Sequence, residues 1–169
     1  MYLSDVIKEG TVDAVCELFQ SYDTYVTFAD AAESKQENIQ GFLGMIGFSG
    51  KKMKGNISIW MSGELIRKTG HEGINKTDWI GEMANQLIGR VKNKLLPYGV
   101  EIMLGTPTSI ETGSLVLNFI QASVQKYRFV YDEQQAVTVF MDAVFEKDTT
   151  VEKQEDTNDA IKEGEMMLF

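Results

Sequence analysis

Asp78, Glu82, Asn85 and, further along, Pro107 are the residues whose types and spacing could do chemistry. A helix advances about 100° per residue, so setting Asp78 at 0° puts Glu82 near 40°, Asn85 near −20° and Gly89 near 20°. Carboxylate, carboxamide and glycine thus share one narrow stripe. A carboxylate can pair with a cation, and an amide that both donates and accepts can hold a water in line with a phosphoryl group. Phosphoryl hydrolysis needs little covalent participation, since positioning and charge stabilisation supply most of the acceleration. Two side chains carried into another protein's active site would suffice. Taken singly, Asp78 reads as an N-cap and Glu82 as a first-turn acid. Asn85 is harder to explain locally, because mid-helix asparagine is a poor helix former; Gly89 costs roughly 1 kcal/mol relative to Ala unless a close approach uses it.

The element that carries the stripe is strongly amphipathic. Ile80, Met83, Ala84, Leu87, Val91 and Leu95 fall on its far side, which predicts packing on a core. Thr77 or Asp78 is expected to cap it, and Leu96-Pro97-Tyr98-Gly99 carries its stop signals. Upstream, Ser4 is expected to cap a helix running to about Tyr22, with Ile7, Thr11, Ala14, Val15, Leu18 and Tyr22 on one face. Asp30 to Gln40 reads as loop or short helix. Residues 41–50 and 55–61 read as two strands joined by a solvated turn bearing Lys51, Lys52 and Lys54, and glycines 44, 47 and 50 hint at bulges or tight packing. A short helix is expected over Glu64 to Lys68, then strands over 100–104, 114–121, 125–131 and 136–145. Short connections imply antiparallel pairing. The predicted fold is α+β, two long helices packed on one face of a mostly antiparallel sheet of about six strands.

Composition excludes several classes. The 169 residues suit one domain, and 43% hydrophobic with 24% charged is ordinary for a globular chain. A net charge of −9 argues against nucleic acid, and no apolar run or basic leader predicts a membrane span or signal peptide, so a cytoplasmic location is expected. Cys16, the single cysteine, reads as a small core residue, and His71, the single histidine, as a solvated loop residue. No Ser-His-Asp, Cys-His or multi-histidine metal set can be assembled, and no Gly-rich phosphate loop is present. Asp78 and Glu82 one turn apart on an exposed helix offer no cleft for glycosidase chemistry. Residues 146–169 hold eight acids and three lysines, more than half of the net charge. Residues 147–169 are expected to form an acidic, mobile tail, with Met166-Met167-Leu168-Phe169 as an apolar end.

The pattern Asp78, three residues, Glu82, two residues, Asn85, twenty-one residues, Pro107 resembles that of the CheC/CheX/FliY group of chemotaxis phosphatases, which dephosphorylate the response regulator CheY. Gly47-Phe48-Ser49-Gly50 and Asn85-Gln86-Leu87-Ile88-Gly89-Arg90 resemble the family's surroundings of that motif. The equivalent stretch of the first helix, Glu17-Leu18-Phe19-Gln20, has Gln where Asn is wanted. One site on a chain of this size is closer to CheX than to two-site CheC, with residues 1–146 as the phosphatase domain. The resemblance implies that Glu82 pairs with the lysine of the partner's phosphorylation site and that Asn85 orients the attacking water. Asp78, Gly89 and Pro107 would support the motif. It further implies a phosphorylated CheY-like receiver as partner, Mg2+ held by that receiver, no cofactor of the chain's own, and a homodimer. The alternative expectation is a non-catalytic module that docks on a receiver domain or a flagellar or signalling complex.

Overall fold

The computed structural model describes residues 1–34, 36–118, 124–132 and 135–154. In chain order the elements are α1 (Leu3–Gln20), β1 (Thr27–Ser34), β2 (Gln36–Ser49), β3 (Lys54–Met61), α2 (Gly63–Thr69), α3 (Lys76–Leu95), β4 (Met103–Leu104), β5 (Thr108–Asn118), β6 (Val124–Val130) and β7 (Ala136–Val144). The strands form one seven-stranded sheet in the order β1-β6-β7-β3-β2-β4, with β5 also on β2, and every ladder among the described residues is antiparallel. The fold is α+β as expected, with a third, short helix beside the two long ones.

The seventh strand arises where Asp30 to Gln40 had suggested loop or short helix: β1 and the first part of β2 occupy that stretch. Ala, Asp and Glu are poor strand formers, but β1 is an edge strand that among the described residues pairs only with β6, and pairing overrides propensity there. Its Phe28 ring packs 5.5 Å from Phe129 and 6.5 Å from Tyr127, which anchors the edge to the core.

Helix α3 lies across β2, β3 and β5, while α1 packs chiefly on α3. The shared core takes Val6, Ala14, Val15, Leu18 and Phe19 from α1 and Ile80, Met83, Leu87, Ile88 and Val91 from α3. Each large apolar side chain among them stabilises the fold by about 2 kcal/mol through burial. Gly44 on β2 governs how closely α3 approaches the sheet. A Cβ there would lie 2.3 Å from the Ile80 carbonyl oxygen and 3.1 Å from the Ala84 Cβ. The strand glycine therefore marks tight packing, and it seats the helix turn between Ile80 and Ala84. Gly41, at φ 126°, accompanies a register shift between Ile39 and Gly41 on the β5 side, a bulge of the kind glycine permits.

Two terminal features depart from expectation. Helix α1 starts at Leu3 after Tyr2, without a side-chain cap, so Ser4 lies inside it. The Leu3 amide donates instead to the Thr149 carbonyl at 2.8 Å, and the Val151 amide donates to the Met1 carbonyl at 2.9 Å. Val151 is buried, and the Gln154 amide donates to the Pro97 carbonyl at 2.7 Å. The segment through Gln154 is thus clasped to the body although its composition reads as tail; the Met166-to-Phe169 segment lies outside the described residues. Cys16 is half-buried against the core, and burial, then Asp13 and Glu17, pushes its thiol pKa up, as suits a packing residue.

Candidate functional site

The stripe stands on α3, and the cap that starts this helix is Asn75, not Thr77 or Asp78. The Asn75 Oδ1 accepts from the amides of Thr77 (3.0 Å) and Asp78 (3.1 Å). Asn caps better than Thr, so the helix begins a little earlier and Asp78 falls within its first turn. An acid there is favoured by the helix macrodipole.

Asp78, Glu82 and Asn85 are all exposed, and the residues between and behind them, Ile80, Met83, Ala84, Leu87 and Ile88, are fully buried. Asn85 makes no side-chain hydrogen bond among the described residues, so donor and acceptor are both available to an incoming group. Four residues on, an added Cβ at Gly89 would meet nothing within 4 Å. That side of the helix is open, as the sequence expectation requires.

The stripe has two unlike flanks. On one, a Cβ at Gly81 would lie 3.3 Å from the Ser109 Oγ. This contact brings the start of β5, and with it the loop that carries exposed Pro107, alongside α3. The loop is tied down by the Gly105 amide, which donates to the Gly47 carbonyl at 2.8 Å. The 21-residue gap between Asn85 and Pro107 thus spans the rest of α3, the turn at Leu96–Tyr98, β4 and the return to the same helix.

On the other flank the end of α1 leans against α3. The Tyr22 ring sits edge-on to Trp79, with centroids 5.2 Å apart. The Trp79 indole donates to the Thr69 Oγ1 at 3.0 Å, and Arg90 donates to the Ser21 Oγ at 3.3 Å. Tyr22 donates its hydroxyl hydrogen to the Gln86 Oε1 at 2.9 Å, and the Gln86 amide donates to the Glu82 Oε1 at 2.9 Å. Sequence reasoning missed Gln86 and the polar end of Tyr22. The i,i+4 spacing of Glu82 and Gln86 was a readable signal, whereas Tyr22 had registered only as a core-facing residue.

His71 is exposed in the turn before α3, and among the described residues no three His, Cys, Asp or Glu side chains gather to hold a metal. No helix among them is long and apolar enough to cross a membrane.

Solved structures share this architecture. A chemotaxis protein CheX from Vibrio vulnificus superposes with a TM-score of 0.71 at 18% identity, covering 83% of this chain and 99% of that one. A CheC-like superfamily protein from Shewanella sp. PV-4 gives 0.72 at 19%, over 86% and 99%. The CheX of the CheX–CheY–BeF3–Mg2+ complex from Borrelia burgdorferi gives 0.63 at 16%, over 80% and 96%. At these identities the likeness is one of fold. No curated protein matches the sequence. The family described as chemotaxis phosphatase CheX matches residues 42–132, from within β2 to just past β6. That match spans more than half of the chain and encloses α3, its stripe and the Pro107 loop, so the protein belongs to the CheX family of chemotaxis phosphatases.

Proposed function

We propose that this protein hydrolyses the aspartyl phosphate of a CheY-type response regulator by inserting Glu82 and Asn85 into the regulator's active site. Family membership supports the reaction class, and the Borrelia CheX–CheY complex supports the kind of partner. The observation that carries the residue assignment is that Asn85 is exposed, without a side-chain hydrogen bond among the described residues, and one turn from exposed Glu82 on a helix whose opposite face is buried in the core. Glu82 pairs with the lysine of the receiver's phosphorylation site and fixes the register of docking. Asn85 accepts from and donates to a water and holds it in line with the phosphorus. Water attacks phosphorus, the bond from phosphorus to the aspartyl oxygen breaks, and the receiver recovers its carboxylate while inorganic phosphate leaves. Magnesium stays with the receiver and neutralises the phosphoryl oxygens. Asp78 and Pro107 shape the ends of the docking surface. The same reading includes a cytoplasmic location and a homodimer, the latter open to test by light scattering.

The test is the decay of a phosphorylated CheY-type receiver with and without the protein. Asn85→Ala is expected to lose at least about a hundredfold in catalysed rate, the order of one preorganised donor, while binding to a beryllofluoride-activated receiver stays within about twofold. Equal loss of binding and turnover contradicts the role given to Asn85. If the unaltered protein binds without accelerating decay, the chain is a docking module instead.

A further inference from the structure

We infer that Gln86 is a positioning residue that holds the Glu82 carboxylate ready for its cationic partner, and that Tyr22, from the turn that follows α1, holds Gln86. The inference rests on the role proposed for Glu82. Its basis is the chain of two 2.9 Å hydrogen bonds, from Tyr22 to Gln86 and from Gln86 to Glu82.

The direction of the chain follows from chemistry. An ionised carboxylate only accepts, so Gln86 must present its NH2 group to Glu82. Its carbonyl oxygen then faces Tyr22, whose hydroxyl donates. The opposite amide orientation would set the Gln86 oxygen against the Glu82 carboxylate, acceptor against acceptor, so the carboxylate fixes the assignment and the Tyr22 hydroxyl, able to donate or accept, follows it. The tyrosine is itself held, since its ring packs edge-on to Trp79, which is tied to buried Thr69. The support therefore runs from the core outward: Thr69 and Trp79 fix the ring of Tyr22, Tyr22 fixes Gln86, and Gln86 fixes Glu82.

Gln86 engages one carboxylate oxygen and carries no charge. It restrains a side chain with three rotatable bonds without neutralising it, and the second oxygen makes no hydrogen bond among the described residues. Docking then orders less of the interface, and affinity gains accordingly. Asn85 has no link to this chain, so the water-orienting step is independent of it. The expected signature is a change in KM with kcat unmoved.

The experiment is a double-mutant cycle on receiver dephosphorylation, with affinity for the beryllofluoride-activated receiver measured in parallel. Gln86→Ala is expected to raise KM and weaken binding by about two- to tenfold, the range for one side chain left unordered, with kcat unchanged. Tyr22→Phe keeps the ring on Trp79, loses only the hydroxyl, and shifts KM the same way by less. In a Glu82→Ala background both substitutions lose their effect. If the Gln86 and Glu82 effects multiply instead, Gln86 meets the receiver itself and the inference fails while the Glu82 role stands. A fall in kcat or in thermal stability with KM unmoved overturns it as well, because Gln86 then acts on the fold. Should Glu82→Ala alone leave KM and kcat unaltered, the role proposed for Glu82 falls, and this inference with it.

Discussion

Helices α1 and α3 lie side by side, each with an outward glutamate and an internal glycine, and the two pairs have opposite fates. Glu17 on α1 forms an ion pair with Lys94 of α3. Glu82 on α3 meets the neutral amide of Gln86. A Cβ on Gly10 of α1 would press 3.2 Å from the Lys94 Cβ, whereas one on Gly89 of α3 would meet nothing within 4 Å. On α1, charge and missing side chain are both consumed in joining the helices; on α3, among the described residues, the charge meets no countercharge and the missing side chain faces open space. The residue type does not distinguish structure from function here. What distinguishes them is whether a countercharge and a packed neighbour already exist among the described residues.

The largest expected difference is between the two glutamates. Glu82→Ala should raise the KM for phosphorylated receiver by about tenfold or more, the loss of a close charge pair across an interface, and leave the melting temperature unmoved. Glu17→Ala should leave turnover alone and lower stability by about 0.2 to 1 kcal/mol, since its pair is partly exposed. Kinetics and calorimetry on the two variants read the contrast directly, and a loss of turnover from Glu17→Ala would break it.

The glycines sharpen the contrast next. Gly89→Ala should stabilise the fold by up to about 1 kcal/mol, from helix propensity gained in open space. The same methyl group should obstruct docking and raise KM by about fivefold, taking the lower end of overpacking costs. Gly10→Ala should gain less stability, because Lys94 must give way, and should leave KM unchanged. An unmoved KM for Gly89→Ala would mean that the receiver never covers that turn of the helix.

Asp142 supplies a third carboxylate and the smallest effect. It accepts from the Asn56 amide at 3.4 Å, an amide-held acid like Glu82, but burial pushes its pKa up. Burial favours the protonated form in the folded state, so that contribution to stability is present at acid pH and is lost as pH rises through the raised value. Asp142→Asn should therefore be the more stable protein near neutrality, by less than about 0.5 kcal/mol, and the advantage should vanish toward acid pH. Melting curves across that range test the sign.

Much of this arrangement was legible in the sequence because helical periodicity is a strong signal. The buried face of α3 forces Asp78, Glu82, Asn85 and Gly89 outward together, and the strands β2 and β3 announce themselves as apolar runs on either side of a lysine-rich turn. What escaped depends on long-range pairing. The β1 edge is built from Ala, Asp and Ser and holds only because β6 lies beside it. The clasp at 149–154 looks like solvated tail until Met1 and Pro97 meet it. The cap moved to Asn75 because several cap-competent residues crowd one turn, and Tyr22 joined the site by a bond between residues 64 positions apart.

Gly44 has a consequence for how such a protein tolerates change. The obstacle to any side chain there is the Ile80 carbonyl oxygen, which cannot rotate away as a side chain would. A substitution must lift the first half of α3 from the sheet and carry Glu82 and Asn85 with it. A mutational screen scored on dephosphorylation would accordingly flag this inward-facing strand position as sharply as the stripe itself, although no receiver could ever reach it.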